Sequence, residues 1–300
     1  MNPDPEISHS EHVLAGARRV ACCKQPEGRD SRERARQSQR PQRKVGYGLK
    51  KAILALALFS CGCAGGGKVT QFSTIDALLA GVYDGDFDCA EVARAGNLGL
   101  GTFDRLDGEM VVTGRRVYQV KSDGSVLRAP GSLGTPFATV VDFRPDRTFR
   151  TCAGLSMRAL EEQIDRLCPN PNGIYAIRLS GNFSAMKTRS VPAQCKPYPD
   201  LVVAAEKQTV FDLGPTDGSV VGFRFPAYFK SLNVPGYHLH FLSKTKTGGG
   251  HILGMTVDPG VLIEVQECRR FELLFPGAGG AFSKARLDRD RSRELQQVER

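Results

Sequence analysis

The sequence predicts an α+β protein of two α/β domains, in which two mixed β-sheets are flanked by a few helices. Three observations point there. Helix-like patterns are few and short. Strand-like runs fill residues 106–143 and are punctuated by turn residues at Asp107-Gly108, Asp123-Gly124 and Arg144-Pro145-Asp146. From Gly218 to Phe275 strand patterns dominate. The 300 residues are 41% hydrophobic and 24% charged, which is ordinary for a globular chain and leaves enough apolar material for one large or two modest cores.

The elements follow in order. Residues 1–51 hold 12 of the 41 basic and 6 of the 32 acidic residues, so 52–300 carry 29 and 26 and are nearly balanced. The net charge of +9 therefore belongs mainly to the tail, which argues against nucleic-acid binding by the domain. The tail has too few large apolar residues to fold alone. Residues 52–67 read as an export signal: Lys50-Lys51, the apolar run Ala52 to Phe59, then Ser60-Cys61-Gly62-Cys63-Ala64. The run is too short for a stable transmembrane helix. Leu58-Phe59-Ser60-Cys61 resembles a bacterial lipobox with Phe59 as an unusual occupant, making Cys61 a candidate lipid anchor. With 51 residues ahead of the run, Val45 is an alternative initiator. If the signal is used the protein is exported to the periplasm, envelope or medium; the alternative is an unprocessed apolar stub on a cytoplasmic protein.

The N-terminal domain is expected over 68–192. It contains a helix over Thr74 to Leu79 with Ser73 as N-cap, a second helix over Cys89 to Ala95, and strands within Leu106–Val112, Val117–Val120 and Phe137–Phe143. A helix over Met157 to Cys168 follows, then a strand pair, Ile174–Leu179 and Phe183–Thr188, turning at Ser180-Gly181-Asn182. Pro192 to Pro199 reads as a linker into the C-terminal domain, 193–300, which opens with a helix over Leu201 to Gln208. Of the nine cysteines, Cys22, Cys23, Cys61 and Cys63 belong to the tail and signal. The remaining Cys89, Cys152, Cys168, Cys195 and Cys268 are odd in number, so at least one is free; Cys152 and Cys168 are a candidate pair in an exported protein.

The most informative local pattern is Gly236-Tyr237-His238-Leu239-His240-Phe241, followed after Gly248-Gly249-Gly250 by His251. Alternate residues of a strand share a face, so His238 and His240 project together. The glycine run reads as a turn that brings His251 beside His240 across an antiparallel pair. Three neutral imidazoles on one face form a metal site with an open position, as in catalytic zinc centres. A structural zinc would want a fourth ligand, for which Cys268 is the nearest candidate, without a C-x-x-C partner.

Four blocks resemble the α-acetolactate decarboxylase family: Gly99-Leu100-Gly101-Thr102-Phe103-Asp104 with Leu106-Asp107-Gly108-Glu109-Met110, Lys187-Thr188-Arg189-Ser190-Val191-Pro192, Lys196-Pro197-Tyr198-Pro199, and Val234-Pro235-Gly236-Tyr237-His238-Leu239-His240-Phe241. The likeness runs in order from about Ser73 to the C-terminus. It implies a zinc-dependent carboxy-lyase of acetoin and 2,3-butanediol biosynthesis, converting (S)-2-acetolactate to (R)-acetoin and CO2, usually as a homodimer with the metal in the second domain. By the same resemblance His238, His240 and His251 are the Zn2+ ligands, Thr102, Glu109 and Arg189 line the pocket, and a tail glutamate completes it, matched by Glu299 better than by Glu294. The sequence departs from the family's pattern at Ser243-Lys244-Thr245-Lys246-Thr247, where acidic residues are usual, and at Gly254, where an Asp is usual. From the residues alone, two further readings stand: a cupin-like metal oxygenase, for which the glutamate usual after H-x-H is missing, and a non-catalytic exported metal-binding lipoprotein.

Overall fold

Strand pairing organises the molecule. In the computed structural model, which describes residues 66–299, β1 (Gly67–Phe72) leads into α1 (Ile75–Leu79), and β2 (Phe87–Asp88) into α2 (Cys89–Ala95). Next come β3 (Leu98–Thr102), β4 (Glu109–Thr113), β5 (Arg116–Val120), β6 (Val126–Arg128), β7 (Gly134–Thr135), β8 (Ala138–Val141), β9 (Arg147–Arg150) and β10 (Leu155–Ser156). After α3 (Met157–Leu167) follow β11 (Ile174–Ser190), α4 (Leu201–Ala205), β12 (Thr209–Asp212) and β13 (Thr216–Phe225). The hairpin β14 (Gly236–Ser243) and β15 (Gly249–Val257), then β16 (Leu262–Leu274) and α5 (Ser292–Val298), complete the order. The basic tail, the signal-like segment up to Gly65 and Cys22, Cys23, Cys61 and Cys63 lie outside the described residues.

The two sheets expected from sequence are instead one 14-stranded sheet, ordered β10-β15-β14-β13-β11-β16-β1-β8-β3-β4-β5-β6, with β12 added to β11 and β9 to β16. A separate ribbon joins β2 to β7. The border drawn at residue 192 does not divide sheets, because β1 pairs in parallel with β16 and β11 pairs with β13, β15 and β16. Ser180-Gly181-Asn182 is not a turn. Gly181 lies opposite Gly218 at φ 143, a conformation open to glycine, and the strand continues through it for 17 residues. The first half of β11 pairs with β13 and β16 and the second with β12 and β15, which closes a ring β11–β13–β14–β15.

Local chemistry explains the helix boundaries. Thr74, not Ser73, caps α1: its hydroxyl accepts the Ala77 N–H at 3.2 Å, whereas Ser73 turns to φ 61. Asp88 and Glu91 form a capping box for α2, and Ser156 caps α3. The strand expected from Leu106 begins only at Glu109, since Arg105 and Leu106 adopt positive φ in a tight turn. Helix α4 stops at Ala205 rather than Gln208, its last N–H groups reaching back only three residues before β12 begins. All five cysteines of the described residues are free, with Cys152 exposed and Cys168 buried at the C-terminal end of α3, so the candidate pair does not form.

Amphipathic α3 packs Leu160 and Ile164 against β11, β14, β15 and β16, where Phe183 and Phe241 meet edge to face at 5.6 Å. Helices α1, α4 and α5 cluster through Ile75, Leu78, Leu201, Ala204, Leu295 and Val298 with Leu106, Phe137 and Val191. This second cluster forms an apolar cap over the ends of β4, β11 and β14.

The hairpin depends on Gly250. At φ 122, a Cβ there would lie 2.4 Å from the carbonyl oxygen of Arg189 on the neighbouring strand. Gly250→Ala combines an unfavourable backbone conformation with a backbone clash, and is expected to cost about 2–4 kcal/mol. A fall in the urea midpoint at unchanged m-value measures that loss, and an unchanged midpoint contradicts the packing described.

Candidate metal centre

The register of three adjacent strands builds the centre. His240 on β14 lies opposite His251 on β15, and His251 lies opposite Arg189 on β11. His238, two residues before His240, shares its face. The three ring centroids are 5.1–5.3 Å apart, and all three side chains are buried. Among the described residues these histidines form a group whose ligand atoms lie within 4.8 Å of one another. Cys268 is buried elsewhere, beside Val69 and Ile174.

Electrostatics prepares the rings for coordination. Burial, then the Arg189 charge, pushes His238 down to about 3. Burial holds His240 and His251 well below the usual histidine value, with smaller contributions from His238 and from Arg189 respectively. The rings are therefore neutral at physiological pH, the state in which imidazole binds a cation. His240 Nδ1 lies 2.8 Å from the Met110 carbonyl, which places the proton on Nδ1 and leaves Nε2 with a free lone pair. That Nε2 and His238 Nδ1 are buried without a hydrogen-bond partner. Unsatisfied buried nitrogens are costly, and a cation shared by the three rings would take up the free lone pair of His240 Nε2. The donor set thus fits a divalent metal.

Two carboxyls and one guanidinium surround the rings. Glu109, first residue of β4, has Oε2 3.6 Å from His240 Nε2 and accepts from Arg189 Nη1 at 3.4 Å. Glu299, just after α5, has Oε2 3.6 Å from His238 Nε2 and 3.9 Å from His251 Nε2, while its Oε1 lies 3.9 Å from Arg189 Nη2. Those carboxylate–imidazole separations are too long for hydrogen bonds. Burial pushes the Glu109 carboxyl up to about 7 against the pull of Arg189, and raises Glu299 in the same way. Arg189 itself is buried, and its Nη2 also donates to the Val298 carbonyl at 3.1 Å. Its Nε has no hydrogen-bond partner.

The structure brings Thr102, Glu109, Arg189, His238, His240, His251 and Glu299 together and leaves Glu294 and Cys268 apart. Glu294 sits at the start of α5, about one third exposed, and accepts from Arg291. Thr102 lines the cavity, but its hydroxyl is committed to the Gly108 carbonyl at 2.7 Å and so fixes the turn that launches Glu109. Ser243 to Thr247 form the turn of the histidine hairpin, where Ser243 Oγ accepts the N–H groups of Thr247 and Gly248. Sequence reasoning missed the Met110 and Val298 carbonyls, because any residue type offers a carbonyl, and the cap residues Ile75, Leu78, Phe137 and Leu201 that wall the cavity.

Helix α5 separates two spaces. Inside lies a small cavity of about 40 Å³ at the histidines. Outside, a cleft of about 620 Å³ runs between α5, α3 and the start of β14, lined by Glu161, Lys230, Tyr237 and Gln296 among others. Glu299 borders both. The helix has seven residues and buries only Leu295 and Val298. Those two contribute about 1.5–3 kcal/mol each, whereas fixing each backbone residue costs about 1–2 kcal/mol. Apolar contact alone does not hold it, so the polar clamps at its ends matter.

With this geometry in view, comparison with known proteins is informative. A family profile described as alpha-acetolactate decarboxylase matches residues 69–289. The chain is 42% identical over 231 residues to the alpha-acetolactate decarboxylase of Methanosarcina mazei, covering 77% of this chain and 79% of that one. It is 41% identical over 232 residues to that of Methylococcus capsulatus, covering 77% and 88%. The crystal structure of alpha-acetolactate decarboxylase from Bacillus subtilis superposes with a TM-score of 0.75 at 33% identity, covering 77% of this chain and 99% of that one. Glu299 lies beyond the matched segment, so its place at the site rests on the distances above. Profile, sequence identity and superposition agree that the chain belongs to the alpha-acetolactate decarboxylase family.

Proposed function

We propose that this protein decarboxylates (S)-2-acetolactate to (R)-acetoin and CO2, with zinc as the ion at His238, His240 and His251. The observation that carries the reading is the convergence of three neutral imidazoles, one buried guanidinium and two buried carboxyls on a single small cavity. When bound, a divalent cation supplies Lewis acidity at the ketone and hydroxyl oxygens of the substrate, where negative charge develops as CO2 leaves. The protein's own groups do the rest. Arg189 holds Glu109 and the end of α5 through its two terminal nitrogens and keeps Nε–H for the substrate carboxylate, orienting the bond that breaks. Glu109, its carboxyl pushed up to about 7 by burial, exchanges a proton readily near neutral pH and delivers it to the carbon that CO2 vacates. Glu299 approaches the rings from α5 and restricts delivery to one face, which yields a single acetoin enantiomer. The apolar cap of α1, α4 and α5 excludes bulk water from the reacting carbon.

Export, lipidation at Cys61 and homodimer formation belong to the same proposal and rest on the signal-like segment and the family resemblance. Intact-mass measurement of protein from its native envelope is expected to show residues 1–60 absent; a full-length species refutes that part.

Two variants test the centre. His251→Ala is expected to lose both bound zinc and acetoin production, because two imidazoles on one strand hold the ion far more weakly than three. Near-normal zinc content in that variant removes His251 from the ligand set. Arg189→Lys keeps a point charge but cannot serve Glu109, the Val298 carbonyl and substrate together. A loss of about 30- to 1000-fold in kcat/KM, corresponding to about 2–4 kcal/mol, is expected with zinc stoichiometry unchanged. Full activity makes Arg189 purely structural, and parallel zinc loss makes it a support of the metal ligands.

A further inference from the structure

We propose that Arg291 is a positioning residue for the decarboxylation: its guanidinium ties α5 to α4 and thereby sets Glu299 against the imidazoles. The inference rests on the role given to Glu299 above. Arg289 and Arg293 are exposed, as arginines at a chain surface usually are, whereas Arg291 between them is only 3% exposed. Its Nη1 donates to Glu294 in the first turn of α5 and lies 3.8 Å from Asp200 Oδ2, at the N-terminal end of α4. Asp76 on α1, which is hydrogen-bonded to Ser231, also feels the Arg291 charge. One buried cation thus stands where the three helices of the cap converge.

A path of backbone bonds runs from this clamp to the site. The Arg291 carbonyl accepts the Leu295 N–H at 2.9 Å, and the Leu295 carbonyl accepts the Glu299 N–H at 3.1 Å. At the far end of the same helix Arg189 holds the Val298 carbonyl. Two buried arginines therefore pin the two ends of a helix too short to be stable alone. Arg291 is absent from the lining of the histidine cavity, so its influence passes through α5. A single nitrogen, Nη1, faces both Glu294 and Asp200, and the rigid planar guanidinium holds it there in a way that an ammonium on a flexible stem reproduces only in part.

Arg291→Gln is expected to speed amide exchange across Leu295–Glu299 while leaving β14, β15 and zinc stoichiometry as in the parent, since no imidazole touches Arg291. Misplacing Glu299 by an ångström is expected to lower kcat by about 10- to 100-fold, with KM changed less. Arg291→Lys should fall between parent and Arg291→Gln in both readouts, and it carries the test if the glutamine variant does not fold. The discriminating measurement is a cycle with Glu299→Gln: the double variant should be no slower than Glu299→Gln alone, because both changes remove the same group from its place. Multiplying losses in that cycle, or unchanged exchange in α5, overturns the proposal. Exchange and zinc content are read without substrate, so a failure of the decarboxylase reading itself would leave those two results standing and be recognised as separate.

Discussion

A buried guanidinium cannot shed its charge by losing a proton, and an unpaired charge away from water is too costly to keep, so Arg189 obliges the fold to supply anions. One comes from β4 and the other from the segment after α5, elements far apart in the chain that meet because both approach the end of β11. Three neutral rings occupy the remaining side. If both carboxyls ionise the cluster has a net negative charge, and burial answers by raising Glu109 to about 7. A divalent cation at the rings answers it as well, so the same cluster that strains for a proton is suited to a metal.

Part of this was legible in the chain. Alternation along a strand predicts that His238 and His240 share a face, and the hairpin predicts His251 opposite His240, which is the observed register. The glycine run was read less well. The reversal occurs over Ser243–Gly248, with Lys246 at φ 61, and Gly249 and Gly250 already belong to β15. Glycine there serves close approach, of Gly249 to β14 and of Gly250 to β11, rather than the turn, and sequence does not distinguish these uses. The Ser180-Gly181-Asn182 break failed for the same reason: a glycine opposite a glycine continues a strand.

What sequence could not supply was pairing at a distance. Arg189 and Glu109 lie in separate segments, each with an ordinary surface explanation for its charge, and only the sheet order makes them neighbours. Arg291 sits in a run of charged residues that reads as solvated, and its burial follows from how three helices meet. Helix starts were legible to within a residue where a capping side chain existed, as at Asp88 and Ser156.

The parallel pairing of β1 with β16 has a consequence in time. Lys68 aligns with Arg270, so a strand near the start of the described chain finds its partner only after nearly all of it has been made. Until then β1 can pair only on its other side, with β8, and no strand pairing joins the histidine strands to the half that carries Glu109. Local ribbons such as β3–β4–β5–β6 can form early, but joining the halves waits on a long-range closure, which slows folding and leaves strand edges open to other chains. Glu109 thus leaves the ribosome well before the three histidines and Glu299 only after them, so the site is complete only once the last helix has docked.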